Sequence, residues 1–138
     1  MSYLVDTNVL SELRRRKPNA GVLEWFSNRR SETLFLSVLT LGEIRKTLES
    51  VSDSERRLKL LDWLEIELPA FFTGRILSVD IPVADRWGRL QAEARRPVSA
   101  VDSLLAATAL HHELRLVTRN EKDFAYPGLE VINPWTVA

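Results

Sequence analysis

The chain has 138 residues, no cysteine, and 19 basic against 19 acidic side chains. One domain is expected, able to bury roughly two-thirds of its unfolded surface without cross-links, and disulfides and thiolate metal sites are excluded. A formal charge of zero argues against strong nonspecific attraction of the whole molecule to nucleic acid, and with no long apolar run and no basic-then-apolar leader, neither a membrane span nor a signal peptide is expected, so the cytoplasm is the expected compartment.

Tyr3, Leu4 and Val5 form a β-prone apolar run that stops at Asp6, Thr7 and Asn8, as a buried strand reads where it ends at a polar site. Val9, Leu10 and Leu13 give the face of a first helix, for which Asp6 can serve simply as N-cap. Arg14, Arg15, Arg16 and Lys17 run into Pro18 as a basic loop or helix end, suited either to the helix dipole or to phosphate. A second helix is predicted over Asn19 to Arg29, and Thr33 to Leu36 is a second strand closed by Ser37.

Thr40 and Glu43 have the spacing of a capping box, so a helix is expected to open there and run to about Ser50. Ser52 and Glu55 repeat the pattern before a longer helix with a wide apolar stripe of Leu58, Leu61, Trp63, Leu64 and Leu68. Pro69 is expected to bend or end that helix. Ile76 to Val79 is a third strand, and Pro82 suits the first turn of a helix from about Val83 to Arg96. Ser99 and Asp102 carry a third capping pattern at the head of a helix that is apolar nearly all round, and so packed inside the domain. A fourth strand, Arg115 to Thr118, leads into Arg119, Asn120 and Asp123, and Leu129 to Ile132 is a final short strand. Strands alternating with helices predict an α/β fold: a central, mostly parallel sheet of four to five strands with helices on both faces.

Asp6, Glu43 and Asp123 each follow a strand by a few residues, and strand ends in a parallel sheet lie along one edge; Asp102 begins a buried helix. Carboxylates crowded together repel one another, and a hard divalent cation such as Mg²⁺ or Mn²⁺ relieves the conflict. Zinc is a poor candidate, because the chain has no cysteine and His111 and His112 are adjacent at a helix end. An ion held by acids provides what phosphodiester cleavage requires. Thr7, Asn8, Ser37 and Thr118 could orient the carboxylates, and Arg14 to Lys17, Arg45, Lys46 and Arg119 could hold the phosphates of a polymer. Against an aspartyl phosphatase stands Asn8, where that chemistry needs a second Asp.

Four ordered motifs connect these residues: D-T-N-V-L from Asp6, S-x-x-T-x-x-E from Ser37 to Glu43, A-x-D-x-x-x-A-A from Ala100 to Ala107, and T-R-N-x-x-D-F from Thr118 to Phe124. Over essentially its whole length the chain resembles the PIN domain of VapC-like toxins, and T-G-R-I-L at Thr73 to Leu77 with the closing I-N-P-W resembles the FitB-like branch. The resemblance implies one PIN domain over residues 1–138 and a Mg²⁺- or Mn²⁺-dependent endoribonuclease. It further implies a homodimer, toxic when free, silenced by a small cognate antitoxin and acting on RNA, with transfer RNA as the family-level target. Carried onto this chain, the metal-binding acids are Asp6, Glu43 and Asp102. Where many relatives have an acid after T-R this chain has Asn120; either Asp123 takes the fourth catalytic place, or Asn120 stands there as a supporting polar residue with Thr7, Asn8 and Thr118 and a second metal ion is bound weakly. The non-catalytic alternative is a PIN-like metal- or RNA-binding module whose acids act as helix caps.

Overall fold

A computed structural model of the chain describes residues 1–95 and 97–136. Five strands, β1 (Tyr3–Val5), β2 (Leu34–Ser37), β3 (Ile76–Leu77), β4 (Arg115–Val117) and β5 (Val131–Ile132), form a sheet in the order β3-β2-β1-β4-β5. Every neighbouring pair is parallel. Seven α-helices are described: α1 (Thr7–Leu13), α2 (Ala20–Ser27), α3 (Val38–Glu49), α4 (Ser54–Asp62), α5 (Leu68–Phe71), α6 (Ile81–Glu93) and α7 (Ala100–His111).

The central strand divides the core by simple alternation. Tyr3 and Val5 enter one hydrophobic cluster with Val9, Val22 and Ile44 from α1 to α3, Leu64 from the turn that follows α4, and Phe72 at the end of α5. Leu4 enters the other, with Val83, Leu90, Leu105 and Ala106 from α6 and α7. Full burial of a side chain such as Leu4 or Phe72 contributes about 1.5–3 kcal/mol. Because the chain builds outward from β1 through β2 to β3 and then returns to lay β4 on the other flank of β1, the order of strands reverses at the β1/β4 boundary. Ligand crevices form outside the carboxyl ends of strands at such a point.

Several expectations change. The helix carrying Glu43 starts at Val38, capped by Ser37, whose hydroxyl accepts from the Leu39 N–H at 3.0 Å. Thr40 is therefore inside the first turn and fully buried, with no partner for its hydroxyl among the described residues. Ser37 is a cap and makes no contact with the acids among those residues. Second, the helix changes character before Pro69 and runs on only to Phe71. A π turn (Trp63–Glu67) joins α4 to α5, with the Leu68 N–H bonded to the Trp63 carbonyl, and this wider turn accommodates a ring that would clash with the carbonyl four residues back in a regular helix. Third, Leu58 is 62% exposed, and the buried stripe is Leu60, Leu64 and Leu68. The helix predicted to reach Arg96 ends at Glu93, and Arg96 itself lies outside the described residues.

Candidate active site

The register of the sheet fixes the first contact of the site. Val5 pairs with Val117, so the next residues, Asp6 and Thr118, emerge side by side at the carboxyl edge. The Asp6 N–H donates to the Val117 carbonyl at 2.9 Å, extending the ladder one step. Asp6 then caps α1, its Oδ1 accepting from the Thr7 N–H at 2.7 Å. Its Oδ2 accepts from Thr118 Oγ1 at 2.8 Å and from Asn8 Nδ2 at 3.3 Å. Thr118 Oγ1 accepts in turn from Asn8 Nδ2 at 3.2 Å and from the Asn120 N–H at 3.1 Å. Asn8 Oδ1 accepts from the Arg119 N–H at 3.2 Å, so the first turn of α1 is fastened to the loop after β4.

Glu43 stands in the second turn of α3, past the capping positions, because Ser37 has moved the start of that helix upstream. Its Oε1 accepts from Thr7 Oγ1 at 2.7 Å. Asp102 lies in the first turn of α7, where Ser99 Oγ accepts from its backbone N–H at 3.3 Å. The Ser52 and Glu55 pattern, by contrast, forms no side-chain cap: α4 is preceded by Asp53.

Asp6, Glu43 and Asp102 line one cavity of about 490 Å³, together with Thr7, Asn8, Glu12, Arg15, Arg119, Asn120 and Trp135. Asp123 does not line it. It is exposed on the 3-10 turn Glu121–Phe124, near enough to Asp102 to act on its charge. Burial pushes the Asp6 carboxyl up from 3.8 to about 6, with Glu43 and Asp102 adding to the rise and the hydrogen bonds from Thr118 and Thr7 opposing it. The Asp102 carboxyl is also raised, first by burial and then by the charges of Asp123 and Glu43.

None of the four acids makes an ion pair among the described residues. The donor set is all hard oxygen with no cation to balance it, which suits Mg²⁺ or Mn²⁺. No three acids, histidines or cysteines among the described residues are already clustered tightly enough to grip an ion together. An ion of this kind takes one or two carboxylates directly and reaches others through water, so Asp6, Glu43 and Asp102 would hold it between them without all three touching it.

Glu12 is the site residue that the sequence reading missed. It is only 6% exposed, and its carboxyl is held below the usual range by the Asn19 N–H at 2.8 Å and by Arg15 at 3.3 Å. The signal was present: Asn8, Glu12 and Arg15 recur at helical spacing on the face of α1 that Asp6 begins. Of the expected cationic rim, Arg15 and Arg119 reach the cavity. Arg14 instead stacks over Trp63, 4.5 Å from its ring, and Arg45 pairs with Glu49 and Glu65. A separate groove of about 920 Å³ lies beside the π turn, lined by Leu10, Leu13, Phe26, Trp63, Leu68 and Phe71 with Arg14, Lys59, Asp62 and Glu67. No helix among the described residues is long and apolar enough to cross a membrane.

A family model described as PIN domain matches residues 3–128. The chain is 35% identical to VapC ribonuclease Y4jK of Sinorhizobium fredii, covering 98% of this chain and 99% of that one. To the toxin FitB of Neisseria gonorrhoeae it is 34% identical over 96% of this chain and 97% of that protein. The crystal structure of FitAcB from Neisseria gonorrhoeae contains a chain that superposes with a TM-score of 0.91 at 33% identity, over 98% of this chain and 99% of that one.

Proposed function

Because this chain belongs to the PIN-domain family, we propose that it is the Mg²⁺- or Mn²⁺-dependent endoribonuclease toxin of a type II toxin–antitoxin pair, working in the cytoplasm. The observation that carries this reading is the meeting of Asp6, Glu43 and Asp102 around one cavity, with none of the three in an ion pair among the described residues. These three would hold the ion, which when bound offers Lewis acidity toward water and phosphate oxygen. Asp6 contributes a carboxylate fixed on both oxygens, so that its direction does not depend on the ion. Thr7 orients Glu43, and the Thr118 hydroxyl and Asn8 amide orient Asp6. Arg15 and Arg119 at the rim offer donors to the phosphates of an RNA strand.

A second reading has one observation in its favour: Asn120, and not Asp123, lines the cavity. With one acid fewer, the chain would bind metal or RNA without cutting. One assay separates the two. The purified chain, free of any partner, is incubated with structured RNAs, transfer RNA among them, in Mg²⁺ or Mn²⁺, beside Asp6→Asn. Cleavage by the first and not by the variant is expected; equal decay in both, or none in either, overturns the catalytic reading.

The remaining elements of the proposal are a homodimer and a small antitoxin. The apolar groove beside the π turn, with Arg14 and Lys59 facing Asp62 and Glu67, is the surface we assign to that antitoxin. Sizing the purified chain alone tests the homodimer, and co-expression with any short reading frame found immediately upstream, followed by sizing of the complex, tests the antitoxin.

A further inference from the structure

Two arginines line the acid cavity, and they are held in different ways. Arg15 is paired with Glu12 at 3.3 Å, and Glu12 is itself anchored by the Asn19 N–H. Arg119 is in no ion pair among the described residues. Its guanidinium carbon lies 5.1 Å from the centroid of the Trp135 ring. An exposed arginine has many rotamers to lose on binding, and a ring against its plane removes some of that freedom in advance while leaving the N–H groups free to donate.

The ring is in turn fixed. Trp135 packs against the core cluster that contains Tyr3 and Val5. Its backbone N–H donates to Asn133 Oδ1 at 3.0 Å. Asn133 is buried, and its Nδ2 donates to the Arg119 carbonyl at 3.4 Å and to Glu121 Oε2 at 3.1 Å. One buried amide thus ties the turn after β5 to the loop that carries Arg119, and the same turn supplies the aromatic surface on which the guanidinium rests.

We propose that the turn Asn133-Pro134-Trp135 holds Arg119 at the mouth of the acid cavity, making Arg119 the cation that engages a substrate phosphate and Trp135 its positioning residue. The identity of the anion rests on the ribonuclease reading above. Arg15, whose guanidinium is already paired with Glu12, contributes less to that contact.

The test measures binding of a short single-stranded RNA to the intact chain in EDTA across a salt series, apart from any cleavage. Losing one phosphate contact to a single strand lowers the slope of log affinity against log salt by about 0.7, which at about 0.1 M salt is about a fivefold loss, and Arg119→Ala is expected to show both. Arg30→Ala removes a charge that is 81% exposed at the opposite edge of the sheet and should leave the slope unchanged. Trp135→Ala keeps the charge, so it should retain the slope and lose about threefold in affinity, with Trp135→Phe restoring most of that loss. In the Arg119→Ala background, Trp135→Ala should add nothing. A wild-type slope in Arg119→Ala overturns the proposal, as does an equal loss from Trp135→Ala with and without Arg119, or failure of the wild-type chain to bind RNA. If Trp135→Ala does not fold, the Arg119→Ala slope and the Phe variant decide. Cleavage in Mn²⁺ by wild type and not by Asp6→Asn, measured on the same preparations, shows the ribonuclease reading standing when this inference falls.

Discussion

The two sides of the acid cavity are built differently. On the β1 side Asp6 is 7% exposed and takes hydrogen bonds from Thr7, Asn8 and Thr118, so its carboxylate is fixed before any ligand arrives. On the α7 side Asp102 is half-buried and Asp123 exposed, and neither carboxylate accepts a hydrogen bond among the described residues. Fixed donors lower the reorganisation needed on binding, whereas unsupported ones adapt to what arrives. The cavity therefore has a rigid wall and a compliant one, and substitutions on the two should separate stability from activity.

The largest expected effect comes from the compliant wall. Asp102→Ala should lower cleavage by more than about a hundredfold, beyond the loss usual for an orienting residue, while thermal unfolding shifts by no more than about 0.5 kcal/mol, as for a surface substitution. Activity close to wild type would remove Asp102 from the site. On the rigid wall, Thr118→Val should cost both properties: about 10- to 100-fold in cleavage, through a misdirected Asp6, and about 1–3 kcal/mol in stability, because Asn8, Asn120 and Asp6 lose a shared partner. Thr118→Ser should recover most of each. If Thr118→Val unfolds no more easily than wild type, the wall is not rigid in the sense described.

The pH dependence of stability is a smaller effect with a defined sign. The Asp6 carboxyl stands at about 6 in the fold against an ordinary 3.8, so its protonated form favours folding. That stabilisation is complete below about pH 4 and lost as pH rises through about 6. The loss is about 3 kcal/mol at most, for a rise of about two units. In melts without divalent ion, the stability of wild type relative to Asp6→Asn should fall across that window, and Mn²⁺ added near pH 7 should restore it. The smallest effect is expected from Asp123→Asn, which touches Asp102 only through an exposed charge: less than about a threefold change in cleavage at physiological salt. A loss as large as that of Asp102→Ala would give Asp123 a ligand's role and make Asn120 a bystander.

The fold was largely legible in the sequence, because its signals are local. The apolar run Tyr3 to Val5 ending at Asp6, the Asn19 cap of α2 and Pro82 in the first turn of α6 each appear where the pattern places them. The sheet's five parallel strands follow from strand–helix alternation. What failed needed knowledge of neighbours. Thr40 and Glu43 have the same spacing as Ser99 and Asp102, yet only Ser99 caps its helix, and the difference lies in Ser37, three residues upstream. Pro69 signalled a break in the helix, but that the break takes the form of a π turn before it, with Pro69 in the first turn of α5, is not encoded in the spacing. Leu58 and Leu60 are equally apolar, and which one faces the core depends on the packing of α4 against the molecule. Within the site, convergence of Asp6 and Glu43 could be argued from strand ends, but the same argument put Asp123 beside them, where the cavity has Asn120 instead. Asp102 was singled out by its place at the head of a buried helix and by the family resemblance. The Glu12 anchor and the resting place of Arg119 on Trp135 could not be argued in advance, since each depends on a partner distant in the chain or on a fold of the backbone that spacing does not encode.

The bond between Asp6 and Thr118 joins residues 112 positions apart. At about 5–20 residues per second, a ribosome needs roughly 6–20 s to make the second partner after the first. Throughout that interval the emerging polypeptide has its first acid but not the hydroxyl that aims it, nor the arginine and tryptophan beyond. A chain still being translated thus has an unfinished pocket.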